Sequence, residues 1–198
     1  MDTRSTDDEL LAAQAALQAE AAAVLADLRL FEHIMLIGTP VQTGSSALGL
    51  MVARDIDVTT LCPSLEVEFV FDVGRALAAN PRVHRLSFRN DTGRWNADPA
   101  YPDGLYWMVE YVTDDGTSWK LDLWFLLEGT TQFDLEHLRS LPPRLTREAR
   151  LAILRIKHAW HDRPPTERVP SYRIYEAVLD HAVKTADDFG RHLERQKD

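Results

Sequence analysis

Gly44-Ser45-Ser46-Ala47-Leu48-Gly49, followed after Arg54 by Asp55-Ile56-Asp57-Val58-Thr59-Thr60-Leu61, is the stretch on which the reading of this chain turns. Its second half alternates polar and apolar residues and is rich in β-branched side chains, the pattern of a strand with one polar face. Residues two apart on a strand project the same way, so Asp55 and Asp57 share that face. Two carboxylates so placed repel unless a divalent cation sits between them, and Mg²⁺ favours one or two carboxylates completed by substrate phosphates. The first half is a glycine turn entering a short helix, where backbone N–H groups and the hydroxyls of Ser45 and Ser46 can take a phosphate.

Upstream, residues 7–30 are rich in Ala, Leu, Gln and Glu and predict one long amphipathic helix; residues 33–37 predict a short strand and residues 48–53 a short helix. Downstream, Pro63 closes the strand and Ser64 is expected to cap a helix over 65–79, stopped by Asn80 and Pro81. A strand over 82–88 leads into a loop over 90–103 that is long enough for a lid or binding role. Asp114-Asp115-Gly116 then punctuates a hairpin of residues 105–113 and 118–127. Its second strand sets Trp119, Leu121, Leu123 and Phe125 on one face and Lys120, Asp122 and Trp124 on the other. Asp122, flanked by Leu121 and Leu123, is a third carboxylate with few structural reasons to be there. Pro142-Pro143, a basic helix over 146–161, a Pro-rich connector and a helix over 172–193 predict a small C-terminal helical unit. The expected division is a main domain over 1–141 and a helical unit over 142–198.

Composition narrows the function classes. The 198 residues carry 22 Lys and Arg against 31 Asp and Glu, a net charge of -9, from which the expected partners include no long nucleic acid. A single cysteine, Cys62, permits neither an intramolecular disulfide nor a Cys-rich zinc cluster and suits a reducing cytoplasm. Neither a signal peptide nor a membrane span is expected, because Glu20, Asp27 and Arg29 interrupt the Ala-rich stretch.

Gly44-Ser45, a nine-residue gap, Asp55-Ile56-Asp57-Val58 and the later Asp122 together resemble the DNA polymerase β-type nucleotidyltransferase superfamily. The submotif at Gly44 to Gly49 is similar to that of its small bacterial members, and the resemblance covers roughly residues 34–126. The segment Ser171-Tyr172-Arg173-Ile174-Tyr175-Glu176-Ala177-Val178 also resembles, more weakly, the helical tail of small-substrate members such as antibiotic adenylyltransferases. The resemblance implies an α/β (α+β) fold with a mixed sheet flanked by helices. It implies that Gly44 and Ser45 bind a nucleoside triphosphate, with ATP the first choice. Asp55 and Asp57 would ligate Mg²⁺, two ions being expected, while Asp122 would ligate metal and help deprotonate the acceptor hydroxyl. Small members commonly carry a basic or polar residue at the position of Ser46 and a basic one at that of Leu48. Arg54 and Lys120 are therefore expected to supply positive charge to the phosphates.

The expected function is Mg²⁺-dependent transfer of a nucleoside monophosphate to a hydroxyl of a small-molecule acceptor, with release of pyrophosphate. The alternatives are a transferase that nucleotidylates a protein and a catalytically silent nucleotide-binding or scaffold protein of the same fold. Base preference, acceptor and oligomeric state stay open. Blander roles are expected elsewhere: His158 and His161 as a helix face, Tyr175 in the core, Lys157 and Tyr172 in packing or on the surface although they lie where the helical tail can reach a triphosphate, and Trp107, Trp119 and Trp124 in the sheet core. Trp95 alone is left the option of stacking on a ligand.

Overall fold

The computed structural model describes residues 3–98, 101–161 and 163–196, so residues 99 and 100 of the expected loop and residue 162 of the connector lie outside it. Eight helices and five strands follow in the order α1 (Thr3–Asp27), α2 (Leu30–Ile34), β1 (Thr39–Thr43), α3 (Gly44–Leu48), β2 (Asp55–Cys62), α4 (Val67–Ala78), β3 (Val83–Asp91), β4 (Gly104–Val112), β5 (Ser118–Leu127), α5 (Phe133–Ser140), α6 (Arg147–His161), α7 (Ser171–His181) and α8 (Ala186–Arg195). The strands form one mixed sheet in the order β1-β2-β5-β4-β3, in which β2 and β5 run parallel and every other pair is antiparallel.

Strand alternation divides the sheet into two chemically different faces. Ile56 and Val58 of β2, Leu105, Trp107, Val109 and Tyr111 of β4, and Trp119, Leu121, Leu123 and Phe125 of β5 are buried against α1, α2 and α4 in one continuous core. Each fully buried large side chain of this kind contributes about 1.5–3 kcal/mol, so this face holds the strands in place. Asp55, Asp57, Tyr106, Lys120, Asp122 and Trp124 occupy the opposite face. Trp107 and Trp119 thus take the core role expected of them, whereas Trp124 does not. A second buried cluster joins Leu48 and Leu50, which flank Gly49, to Leu141, Leu145, α6, α7, Val183 and Phe189 of α8. It seats the C-terminal helices against the turn that precedes the Asp55 strand.

Several boundaries differ from expectation for identifiable reasons. The first helix stops at Asp27 because Arg29 takes a left-handed conformation (φ 47°), which redirects the chain so that Leu28, Leu30 and Ile34 all reach the core. The strand expected at 33–37 is instead the end of α2 and a turn. The strand begins at Thr39 and includes Pro40, which is tolerated because β1 is a sheet edge. The helix after Gly44 ends at Leu48 rather than 53, with Gly49 at φ 69° as its left-handed cap. The helix α4 starts at Val67, and Ser64 does not cap it. The last helix is two, because Ala182 at φ 52° allows Val183 N–H to donate to Ala177 O at 3.0 Å, after which Thr185 Oγ1 caps α8 by accepting from Asp188 N–H at 3.1 Å.

Residues 7–27 of α1 are by length and composition apolar enough to cross a membrane. In the fold, Ala21, Val24 and Leu25 enter the core, while Asp8, Glu20 and Asp27 pair with Arg147, Arg54 and Arg82.

Two glycine substitutions test the packing with opposite signs. A Cβ on Gly74 of α4 would lie 2.6 Å from Trp107 Cζ2, and the ring cannot yield freely because its Nε1–H donates to Val70 O at 3.0 Å. A Cβ on Gly190 of α8 meets nothing within 4 Å. Urea denaturation is expected to show Gly74→Ala losing about 1–3 kcal/mol through overpacking, while Gly190→Ala gains about 0.5–1 kcal/mol from helix propensity.

Candidate active site

Parallel pairing of β2 with β5 aligns Asp57 with Asp122 and Asp55 with Lys120, so two rungs of the sheet carry three carboxylates and one ammonium on one face. One oxygen from each of Asp55, Asp57 and Asp122 lies within 4.8 Å of the others, an arrangement positioned to bind a metal ion. Asp122 is held at both oxygens: Tyr106 OH donates to Oδ1, and Lys120 Nζ donates to Oδ2 at 2.5 Å. Asp55 Oδ1, by contrast, is buried without a hydrogen-bond partner, and its ion-pair contact with Lys120 Nζ is long at 3.8 Å. A buried carboxylate oxygen left this way is costly and is what a cation would satisfy.

Electrostatics agree with the geometry. Burial, reinforced by Asp55, Asp122 and Asp134 and opposed by Lys120, pushes the Asp57 carboxyl up to about 7. Burial also raises Asp55, with Lys120 opposing and Asp122 adding to the shift. Burial works against the Lys120 ammonium, yet the bond to Asp122 and the charge of Asp55 outweigh it and raise its pKa. Across the cleft, Lys157 of α6 is buried, donates from Nζ to Leu50 O at 2.7 Å and lies over the Tyr175 ring. Its own burial lowers its pKa to about 8 despite the opposing pull of Asp57 and Asp55.

A cleft of about 400 Å³ joins these elements, lined by Gly44, Ser45, Asp55 and Asp57 on the sheet side and by Lys157, His161, Arg168, Ser171, Tyr172 and Tyr175 on the helical side. A second cavity of about 550 Å³ adjoins it, sharing Asp134, His137, Tyr172 and Tyr175 and extending to Tyr101 and Phe133. Gly44 is required where it stands: its φ is 62°, and a Cβ there would come within 2.0 Å of Asp57 Oδ2.

The residues named from the sequence divide clearly. Asp55, Asp57, Asp122 and Lys120 converge, with Gly44 and Ser45 beside them at the cleft. Ser46 does not line the cleft: it is buried, donating from Oγ to Thr43 O at 3.2 Å and accepting from Gln42 Nε2 at 3.0 Å, which is a turn-closing role. Arg54 lies on the other face of the sheet, paired with Glu20 at 3.0 Å and placed over Trp119, because the alternation that puts Asp55 and Asp57 together sends its side chain the opposite way. Sequence reasoning missed Tyr106 and Asp134, and it weighed Lys157 toward packing rather than the cleft. Only Lys157 carried a signal, being a cation within the apolar run Ile153, Leu154 and Ile156.

No protein-family model matches the chain, and no curated protein matches it in sequence. Solved structures do match its fold. The Cid1 poly(U) polymerase, solved with MgGTP, superposes on 90% of this chain with a TM-score of 0.60 at 17% identity, over 56% of its own length. A cytoplasmic RNA terminal U-transferase matches 82% of this chain and 45% of its own at TM-score 0.55 and 19% identity. The STING-associated CdnE c-di-GMP synthase from Capnocytophaga granulosa matches 83% of this chain and 59% of its own at TM-score 0.53 and 10% identity. The chain has the polymerase β-type nucleotidyltransferase fold. It spans about half the length of these nucleotidyltransferases. One expectation falls with this finding. Two of the matched proteins named here act on RNA by name, so an acidic net charge does not exclude a long nucleic acid for this fold. Net charge is a sum over the whole surface and does not report the local field at a chain end held in a cleft.

The raised pKa of Asp57 sets a pH dependence. Its folded value near 7 exceeds the ordinary carboxylate value, so between about pH 4 and 7 the native state binds more protons than the unfolded state and loses stability as pH rises. In metal-free buffer, the stability of Asp57→Asn relative to wild type is expected to increase from pH 5 to pH 8 by on the order of 2 kcal/mol. Mg²⁺ is expected to raise the wild-type melting temperature at pH 8, less so below pH 7, and to leave Asp57→Asn nearly unchanged, as read by thermal unfolding.

Proposed function

We propose that this chain is a Mg²⁺-dependent nucleotidyltransferase that moves a nucleoside monophosphate from a triphosphate, ATP first among them, to a hydroxyl of a small-molecule acceptor. The observation that carries this reading is the convergence of Asp55, Asp57 and Asp122 beside the Gly44-Ser45 turn, with one buried carboxylate oxygen lacking a partner. In this reading residues 1–141 carry the chemistry and residues 142–198 form the opposite wall of the cleft.

The acceptor oxygen bonds to the α-phosphorus as the bond from that phosphorus to the α,β-bridging oxygen breaks, and pyrophosphate leaves. The hydroxyl proton passes to the Asp122 carboxylate, which Tyr106 and Lys120 orient. Gly44 and Ser45 offer N–H and hydroxyl donors to the phosphates from one side, and Lys157 offers its ammonium from the other. Tyr172, about half exposed at the cleft, presents a ring on which a base can stack. Asp55 and Asp57, with Asp122, would hold Mg²⁺, which when bound neutralises phosphate charge and polarises the α-phosphoryl group. Cavities of about 400 and 550 Å³ suit a nucleotide and a small acceptor. The matched RNA enzymes favour a second reading, in which the acceptor hydroxyl is the 3′ end of an RNA strand.

Calorimetric titration with a nonhydrolysable ATP analogue is expected to show Mg²⁺-dependent binding that Asp55→Asn/Asp57→Asn weakens about 100-fold or more. Asp122→Asn is expected to retain most of the analogue affinity while pyrophosphate release falls by about 10²–10⁴-fold. Pyrophosphate release with hydroxylated small molecules supports the first acceptor reading, and release only with an oligoribonucleotide bearing a free 3′ hydroxyl replaces it with the second. No triphosphate binding with or without Mg²⁺ would sink the transferase reading and leave a silent member of the fold.

A further inference from the structure

The triad is not made of carboxylates alone. Lys120 stands directly across from Asp55 in the β2–β5 register and two residues before Asp122 on β5, which makes it the fourth corner of the square formed with Asp55, Asp57 and Asp122. Its ammonium closes the edge between Asp122 and Asp55, at 2.5 Å from Asp122 Oδ2 and 3.8 Å from Asp55 Oδ1. The edge between Asp55 and Asp57 carries no such cation: the ion pairs among the described residues include none to Asp57. Lys157 approaches from the helical side, where its Nζ donates to Leu50 O and keeps its remaining donors for the phosphates.

We propose that Lys120 is a built-in cation that takes the place of one of the two metal ions expected at such a site, so that with triphosphate bound the chain holds a single divalent ion on the Asp55–Asp57 edge. This rests on the nucleotidyltransferase reading and adds to it the number and place of the ions. Charge supports it: before the triphosphate binds, three carboxylates and one ammonium carry at most two net negative charges, and a second divalent ion would stand against the ammonium at close range in a partly buried site. Hydrogen bonding supports it as well. Both oxygens of Asp122 already accept, from Tyr106 OH and Lys120 Nζ, so a second ion would have to compete with Lys120 for Oδ2. Mg²⁺ requires near-ideal octahedral ligation, and Asp122 is the member of the triad least free to move into it. In this arrangement Lys120 supplies positive charge beside the carboxylate that receives the proton.

Counting bound Mn²⁺ by the loss of its free electron paramagnetic resonance signal tests this without relying on turnover. With a nonhydrolysable triphosphate analogue, and with the Mn²⁺ held by analogue alone measured separately, wild type is expected to hold one ion per chain in the ternary complex. Lys120→Met, which keeps the length of the stem and removes the charge, is expected to hold two. Two ions in wild type would overturn the assignment of Lys120, as would one ion in a folded Lys120→Met. The wild-type count decides the matter even if the variant fails to fold. Absence of any protein-bound Mn²⁺ in wild type, with or without the analogue, would sink the transferase reading itself, an outcome distinct from a count of two.

Discussion

Mutual repulsion among Asp55, Asp57 and Asp122 is the constraint around which the rest of the structure is arranged. Cross-strand neighbours on a sheet lie about 5 Å apart, so parallel pairing of β2 with β5 forces these carboxylates into one another's field. On the site face, Tyr106 and Lys120 offset part of that repulsion through Asp122. The arrangement is maintained from behind, by the apolar row of Trp119, Leu121, Leu123 and Phe125 and by Ile56 and Val58, all buried against α1, α2 and α4. Burial of the same strands then raises the pKa of Asp57, because desolvation and neighbouring charge act in the same direction.

The turn before β2 answers to the same constraint. Gly44 accepts a positive φ and brings its backbone against Asp57, a position in which a side chain would collide with the carboxylate. Leu48 and Leu50, just beyond, are buried with α6 and α7, and this contact carries Lys157, Tyr172 and Tyr175 to the open side of the cleft. A cation on the helices and a glycine turn on the sheet therefore face each other across a space of nucleotide size, held together by apolar packing and by Arg150 and Lys157 donating to Leu48 O and Leu50 O.

The polymerase β-type fold is shared by enzymes that extend RNA and by one that makes a cyclic dinucleotide, so the architecture does not by itself select the acceptor. Around the triad this chain places Lys120 and Tyr106 on Asp122, Arg89 over Tyr106 and Trp124, and Asp134 at the junction of the two cavities.

By itself the sequence determined the strand of Asp55 and Asp57, the hairpin whose second strand carries Asp122, the two faces of that strand, and the glycine turn ahead of them. Each follows from period-2 alternation or from the backbone freedom of glycine, which are local properties. The same alternation, applied one residue further, places Arg54 away from the site, so its position was legible even though its nearness in sequence suggested otherwise. Only the tertiary structure decided that Asp57 faces Asp122 and Asp55 faces Lys120, because register between strands whose paired residues are 65 positions apart depends on the packing of the whole apolar face. It also decided that Tyr106 reaches Asp122, that Lys157 is buried at the cleft, and that the chain reverses at Arg29 and Ala182. Those features come from the demand that distant apolar residues meet in two cores, a demand that no short window of sequence contains.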